Sequence, residues 1–135
     1  MLTDTGPLIA LLDEGDKHHA ACRQVARGLP KSPLVTTWPC FTETMYYLSD
    51  TGGYRYQERL WRMRRDNRLI LIDLTDAEIG RMDALMQQYR NVPMDLADAS
   101  LVAVVESRNI RKLFTIDSDF FIYLLADGSV HDVVR

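Results

Sequence analysis

The segment Leu34-Val35-Thr36-Thr37-Trp38-Pro39 is a short apolar run followed closely by a proline. The run has the length of a β-strand. A proline is favoured at the first position of a helix, where its missing N–H group costs no hydrogen bond. We therefore predict a strand at Leu34–Thr37 and a helix that starts at Pro39 and ends by Gly52-Gly53.

The same alternation recurs along the chain. Short apolar runs predict further strands at Met1–Asp4, Leu69–Ile72, Leu113–Ile116 and Val130–Val134. Helical segments are predicted at about Leu8–Leu12, Lys17–Arg27, Tyr54–Asp66 and Asp76–Tyr89, and one more opens at Pro93. Strands that alternate with helices are typical of a three-layer α/β sandwich around a mostly parallel sheet. With no repeat or long linker, the 135 residues predict a single domain, 1–135.

Composition excludes several classes of protein. A hydrophobic fraction of 47% and a charged fraction of 26% are ordinary for a globular protein. No apolar stretch is long enough to span a membrane, and the start lacks a signal-peptide pattern, so we expect a cytoplasmic protein with no membrane contact. Cys22 and Cys40 have no metal-type spacing and are expected to be buried thiols. A net charge of -3 is not that of a general nucleic-acid binder.

Four acidic residues stand at positions that a parallel sheet would bring together. Asp4 and Asp117 each end a predicted strand, and the carboxyl ends of parallel strands lie at one edge. Glu43 lies early in its helix, and helical side chains tilt toward the helix N-terminus, back to that edge. Asp98 lies inside the apolar run Met94–Val105. We therefore expect these carboxylates to share one site.

Asp98 gives the strongest of these signals. At helical spacing it shares a face with Leu101, Val102 and Val105, which should be core. An isolated ionised aspartate on such a face would be strongly disfavoured. The alternative is a buried carboxylate bonded to a nearby backbone group or arginine.

Each other acidic or hydroxyl candidate also has a purely structural explanation. Asp4 would serve equally as a turn former or helix cap, Asp95 as a first-turn acid, and Glu43 as a solvent-facing helix residue. Asx-turn chemistry would account for Asp117 or Asp119. Thr5 and Thr115 are candidate hydroxyl donors to the site, although strand and turn preferences explain them too. The conjunction of acids at one edge favours the functional interpretation.

Carboxylate oxygens without histidine or cysteine are the ligands of a hard cation such as Mg²⁺ or Mn²⁺. Such an ion polarises a phosphoryl oxygen and lowers the pKa of a bound water, which suits phosphoryl chemistry. Four or more carboxylates indicate either two ions or one ion with a carboxylate that orients the attacking water. Both arrangements stay open at this point.

One helix concentrates positive charge. Arg55, Arg59 and Arg62 share a face of the helix predicted at Tyr54–Asp66, and this face is a candidate contact for RNA phosphates or for an acidic partner protein. The alternative, which we favour, is a solvated face with a Glu58–Arg62 pair.

Four segments resemble the PIN-domain ribonucleases, and most closely the VapC-type toxins of bacterial toxin–antitoxin pairs. They are Leu2-Thr3-Asp4-Thr5-Gly6-Pro7-Leu8-Ile9-Ala10, Thr42-Glu43, Met94-Asp95-Leu96-Ala97-Asp98-Ala99-Ser100-Leu101-Val102 and Phe114-Thr115-Ile116-Asp117-Ser118-Asp119-Phe120. The resemblance extends over the whole chain. One departure is Ser118, where family members often carry a basic residue.

The resemblance implies a parallel five-stranded sheet between helices and an endoribonuclease activity that depends on Mg²⁺ or Mn²⁺. The family's acidic quartet falls on Asp4, Glu43, Asp98 and Asp117, and Asp119 and Asp95 resemble accessory acids of the same site. It also implies a homodimer, an RNA substrate and an inhibitory antitoxin partner.

Other protein classes also place acids at strand ends. A receiver-type phosphoacceptor or an aspartate-nucleophile phosphatase is disfavoured because Gly6 stands where the phosphatase needs a second aspartate, and because Lys112 opens a strand instead of ending one. A non-catalytic PIN-like module that binds RNA or protein is the alternative from a different class.

Overall fold

In the part of the chain that the structure describes, five parallel strands form one sheet with β1 at its centre. The computed structural model describes residues 1–29, 31–116 and 132–134, the last three by their backbone alone. The strands are β1 Leu2–Thr3, β2 Leu34–Thr37, β3 Leu69–Ile72, β4 Lys112–Phe114 and β5 Asp132–Val134. Their order is β3-β2-β1-β4-β5, and every adjacent pair is parallel. The predicted five-stranded parallel sheet is confirmed.

The strand order reverses beside β1, and this reversal locates the expected ligand site. The chain runs from β1 through β2 to β3 on one side, and β4 and β5 then add on the other side. In open parallel sheets, ligands bind beyond the carboxyl ends of the strands at such a switch point. Thr3 of β1 is in register with Phe114 of β4, so the residues that follow them, Asp4 and Thr115, lie at this point.

Six helices cover the two faces of the sheet within the described residues. They are α1 Thr5–Leu12, α2 His19–Gly28, α3 Trp38–Gly52, α4 Tyr54–Arg65, α5 Asp76–Gln88 and α6 Leu96–Ser107. Leu113 packs in a core with α5 and α6, whereas its neighbour Phe114 packs against α1 and α2 on the opposite face. The three-layer sandwich is therefore confirmed. None of the helices in the described ranges combines the length and apolar content that a membrane crossing requires.

The start of α1 differs from the prediction. We predicted a helix from about Leu8, but the helix begins at Thr5 and contains Gly6 and Pro7. Proline is accepted there because the first N–H groups of a helix have no partner within the helix. A Cβ on Gly6 would lie 2.8 Å from Ile116 Cγ1, so glycine lets the first turn approach the end of β4.

The start of α6 also differs, by three residues. The helix begins at Leu96, not at Pro93, because Asp95 is its N-cap. The Asp95 side chain accepts a hydrogen bond from the Asp98 backbone N–H, and the Asp98 side chain accepts one from the Asp95 N–H. From Ala97 to Val105 every residue of α6 is buried. The helix is thus a central core element that carries its acids at one end.

An ion pair between the buried Glu78 and the exposed Arg108 holds the other end of α6. Glu78 of α5 is 3% exposed and accepts hydrogen bonds from the Arg108 guanidinium at 3.0 and 3.1 Å and from the Ser107 hydroxyl. Its carboxylate also accepts the Thr75 N–H at 2.8 Å. The Arg108 guanidinium, foremost among these partners, lowers the pKa of Glu78 from 4.5 to about 2.

We expect Glu78→Gln to make unfolding less dependent on pH in the acid range. Because the folded-state pKa of Glu78 is about 2, below its ordinary 4.5, its contribution is complete above pH 4.5 and is lost as the pH falls toward 2. The variant should lose about 2 kcal/mol of unfolding free energy at neutral pH, the typical value for hydrogen bonds to a charged group. Urea titrations between pH 2 and pH 7 measure both effects. Glu14→Gln, at an exposed ion pair, is the control and should leave neutral stability nearly unchanged; an equal loss in both variants would contradict the prediction.

Candidate active site

The first turns of three helices meet at the carboxyl end of the sheet. α1 and α3 begin directly after β1 and β2, with Asp4 and Thr37 as their N-caps. The Thr5 hydroxyl donates to the Cys40 carbonyl at 3.4 Å, and the Cys40 thiol donates to the carbonyl of Ala97, in the first turn of α6, at 3.8 Å. Because helix N-termini carry partial positive charge, this edge of the sheet favours negative groups.

Asp4 lies at the centre of this edge. It is only 5% exposed. Its Oδ1 accepts the Thr5 N–H at 2.7 Å, and its Oδ2 accepts the Thr115 hydroxyl at 2.8 Å. The helix-cap alternative for Asp4 is therefore correct, and it does not compete with a site role, because the cap points the carboxylate at the end of β4. Thr115 contacts the predicted acid directly.

Asp98 and Asp95 form the N-terminal end of α6. Asp98 is 8% exposed, whereas Asp95 is exposed. Asp98 Oδ2 accepts the Asp95 N–H at 3.4 Å, a long hydrogen bond. The backbone partner that we considered for a buried Asp98 therefore exists. It turns the carboxylate toward the N-terminus of α6, at the edge where Asp4 also lies.

Glu43 is a half-buried residue of α3, and its carboxyl interacts with residues at the starts of α1 and α6. Burial raises its pKa, and the nearby negative charge of Asp95 raises it further, while the Thr5 hydroxyl lowers it. Since Asp95 and Thr5 both influence this pKa, the Glu43 carboxyl lies near the N-terminal ends of α6 and α1. The solvent-facing alternative does not describe this side chain.

The described acids share an edge without forming a complete metal site. Within residues 1–29 and 31–116, no three side chains of histidine, cysteine, aspartate or glutamate are grouped closely enough to hold an ion. Asp117 and Asp119, the other predicted acids, lie outside the described residues. The structure therefore brings Glu43 beside Asp95 and places Asp4 and Asp98 at the same edge.

The chemistry of the donor groups fits a hard cation. Cys40 is fully buried next to this edge, and burial, followed by the charge of Asp4, raises the pKa of its thiol to about 12. A thiol with that pKa stays protonated and is a poor metal ligand. Carboxylate and hydroxyl oxygens are then the available donors, which suits Mg²⁺ or Mn²⁺.

Sequence reasoning missed the side chains that join the helices here. Thr37 and Ser100 are both fully buried, and their hydroxyl oxygens are 2.7 Å apart. Cys40 was expected to be a buried thiol, which is confirmed, but its contacts with α1 and α6 were not foreseen. The available signals were a serine inside the apolar run of α6 and a threonine at a strand–helix junction.

The predicted arginine face is largely engaged in local ion pairs. Arg59 donates to both carboxylate oxygens of Glu14 and lies over the Tyr56 ring, 4.2 Å from its centroid. Arg62 pairs with Glu58 at 2.8 Å, as the alternative of a solvated face required. A contact of Arg55, Arg59 or Arg62 with RNA or a partner stays a prediction.

The family model for the PIN domain matches residues 1–124. The chain belongs to the PIN domain family. PIN domains are generally nucleases that use divalent metal ions, and the oxygen-rich edge of the sheet is consistent with that chemistry. A comparison with curated protein sequences gave no significant match.

Three solved structures show the same fold. Mycobacterium tuberculosis VapC20, described as a toxin that cleaves the sarcin-ricin loop, is 19% identical with a TM-score of 0.80, over 87% of this chain and 90% of that one. A toxin–antitoxin complex from Klebsiella pneumoniae is 22% identical with a TM-score of 0.66, over 99% of this chain and 95% of that one. VapBC2 from Rickettsia felis, bound to a promoter DNA fragment, is 11% identical with a TM-score of 0.67, over 99% of this chain and 98% of that one. At these identities the likeness concerns the fold of this PIN domain.

We expect Asp95→Asn to lower the pKa of Glu43. The substitution removes a negative charge that raises this pKa, while asparagine still caps α6. Because burial is the larger cause, the Glu43 pKa should stay above its ordinary value. A pH titration of the Glu43 side-chain carboxyl by ¹³C NMR measures the change. Asp50→Asn, an exposed acid further along α3, is the control; a Glu43 pKa that responds equally to both variants would refute the placement of Asp95.

Proposed function

We propose that this PIN domain is an endoribonuclease that depends on Mg²⁺ or Mn²⁺ and acts as the toxin of a toxin–antitoxin pair. The observation that carries the proposal is the placement of Asp4, Asp98 and Glu43 at one carboxylate-rich edge, where three helices begin. Membership of a family whose members are generally nucleases supports the same conclusion.

The metal ligands in this proposal are Asp4, Glu43, Asp98 and Asp117, with Asp119 and Asp95 as further acids of the site. Thr115, two residues before Asp117 in sequence, already donates to Asp4, which supports adding Asp117 to this group. A bound divalent ion would polarise the scissile phosphoryl group and make a coordinated water more acidic. With only oxygen donors, a single ion with several waters or a pair of ions is compatible with this set.

Glu43 has the properties of a proton acceptor. Burial makes its carboxyl a stronger base than an ordinary glutamate, and the adjacent Asp95 acts in the same direction. The Thr5 hydroxyl lies near the Glu43 carboxyl and lowers its pKa, which opposes these effects in part. In the proposed reaction Glu43 therefore accepts a proton from the attacking water, while Asp4 and Asp98 supply carboxylate oxygens to the ion.

The structural neighbours support an antitoxin as the partner protein of this chain. Solved complexes from Klebsiella pneumoniae, Rickettsia felis and Haemophilus influenzae contain a toxin of this fold with an antitoxin. We propose that this chain likewise acts on RNA in the cytoplasm and is inhibited by a cognate antitoxin. A non-catalytic RNA- or protein-binding module would share the fold without the activity, and the cleavage experiment separates the two.

Purified chain, freed of any antitoxin, should cleave structured RNA with Mg²⁺ or Mn²⁺ and not with EDTA. Asp98→Asn should lower kcat/KM more than about 100-fold, because it removes a ligand charge, and even loss of a residue that only supports a ligand costs 10–100-fold. Gel analysis of labelled RNA over time provides the rates.

Asp83→Asn is the matched control, since Asp83 is an exposed acid on α5, and it should cleave as the wild type does. RNA binding without cleavage in any metal would reject the nuclease and favour the non-catalytic module. Equal activity in Asp98→Asn and wild type would reject Asp98 as a ligand.

We also expect the isolated chain to be a homodimer. Tyr46 and Tyr47 are neighbouring aromatic side chains of α3 that are 68% and 53% exposed, and contiguous exposed apolar surface marks interaction sites. Light scattering coupled to gel filtration should give about twice the monomer mass of 15.5 kDa. A monomer at every concentration between micromolar and millimolar would show that these side chains serve another purpose.

A further inference from the structure

Two buried hydroxyl groups join the N-terminus of α3 to the first turns of α6. Thr37 Oγ1 and Ser100 Oγ are 2.7 Å apart, and both residues are 0% exposed. They are 63 positions apart in sequence. Thr37 is the N-cap of the helix that carries Glu43, and Ser100 lies two residues after Asp98. The contact therefore links the two helices whose carboxylates belong to the proposed site.

Hydrogen-bond valence gives this contact a direction. Ser100 Oγ also lies 2.7 Å from the Ala97 carbonyl, which can only accept, so the single hydroxyl proton of Ser100 goes to Ala97. Ser100 must then accept from Thr37, whose oxygen in turn accepts the Cys40 N–H at 3.4 Å. The result is a directed chain from the Cys40 N–H through Thr37 and Ser100 to Ala97. Each bond in such a chain polarises the next in the same sense.

The chain ends on the peptide group that immediately precedes Asp98. The carbonyl of that planar group accepts from Ser100 and from the Cys40 thiol, while its N–H, which belongs to Asp98, donates to Asp95 Oδ1 at 2.8 Å. Both ends of the peptide group are therefore held. With the peptide plane held, the position of the Asp98 Cα is fixed, and the bond from the Asp95 N–H orients the carboxylate.

We infer that Thr37 and Ser100 are a positioning pair that fixes the Asp98 carboxylate relative to Glu43 for metal binding. The inference rests on the proposed function, because it concerns the same metal site. Neither hydroxyl contacts that site directly, so the pair acts through Ala97 and through the N-cap of α3. Loss of the Ser100 hydroxyl removes one of the two side-chain donors to the Ala97 carbonyl, and loss of the Thr37 hydroxyl removes the link between Ser100 and α3, so the two carboxylates are held less firmly relative to each other.

The test uses Thr37→Val, which keeps the side-chain shape and removes the hydroxyl, and Ser100→Ala. Isothermal titration with Mn²⁺ on the purified full chain should show affinity about 10-fold weaker in each, the lower end of the range for residues that support metal ligands. Thr44→Val is the matched control. Thr44 is also 0% exposed on α3, but its hydroxyl donates to the Cys40 carbonyl within the same helix, so Mn²⁺ affinity should stay within about twofold of wild type.

Two further measurements separate positioning from a loss of stability. Thr37→Ser restores the hydroxyl and should bring the Mn²⁺ affinity back to the wild-type value. The double variant Thr37→Val/Ser100→Ala should be no weaker than the poorer single variant, because both changes break one chain. In RNA cleavage, the Mn²⁺ concentration at half-maximal rate should rise about 10-fold in Thr37→Val while KM for RNA is unchanged.

The outcomes distinguish the inference from the proposed function. If wild type binds Mn²⁺ and both Thr37→Val and Ser100→Ala match Thr44→Val in affinity, the positioning pair is refuted and the metal site stands. If Thr37→Ser binds as weakly as Thr37→Val, a hydroxyl at this position does not restore the affinity, and the inference is equally refuted. If wild type binds no Mn²⁺, the proposed function fails, and the inference that rests on it fails too.

Discussion

The burial of carboxylates at the carboxyl end of the sheet is the constraint on which the rest of the structure depends. Asp4 and Asp98 are only 5% and 8% exposed, and ionised groups at that depth are costly without hydrogen-bond donors. Donors come from the Thr5 N–H, the Thr115 hydroxyl and the Asp95 N–H, which are far apart in sequence. They reach one edge because β1 and β4 run parallel and three helices begin there. If β1 and β4 were antiparallel, Asp4 and Thr115 would lie at opposite ends of the sheet.

Two glutamates near the core show how differently this fold uses buried acids. Glu78 lies against Arg108, and its pKa falls to about 2, so it is ionised at any physiological pH. Glu43 lies against Asp95, and burial with that second negative charge raises its pKa. The first arrangement fixes the C-terminal end of α6 and leaves the acid chemically inert. The second keeps a carboxylate basic beside the N-terminal end of the same helix, at the edge whose carboxylates would hold a divalent cation.

Sequence reasoning succeeded where a local pattern decides the structure. β2 and β3 match their predicted bounds because apolar runs of four residues end at clear helix-start or loop signals. The starts of α1 and α6 were misplaced because capping by Asp4 and Asp95 is set by side-chain hydrogen bonds that a proline-based rule does not detect. Asp98 was expected to lie on a buried helical face, and it does, because the apolar spacing of its neighbours decides that face.

A local sequence pattern could not predict which side chains of different helices and strands form hydrogen bonds with one another. Nothing in the spacing of Thr37 and Ser100 predicts that their hydroxyls meet, since 63 residues separate them. The contact exists only once β2 and α6 have packed together. The same is true of the Thr115 hydroxyl and Asp4, 111 residues apart.

Neutral hydroxyls, not charges, make most of the polar connections around the acids, and there is a physical reason for this. Of the ten buried polar or charged residues in the described part of the chain, seven are hydroxyl-bearing: Thr3, Thr5, Thr36, Thr37, Thr44, Ser100 and Thr115. A lysine or arginine at these positions would compete with a metal ion for the carboxylates, and another acid would add repulsion. A hydroxyl can donate in one direction and accept in another, so it orients its neighbours without changing the net charge. The carboxylates thereby keep their full attraction for a cation, while the helices that carry them are held in place.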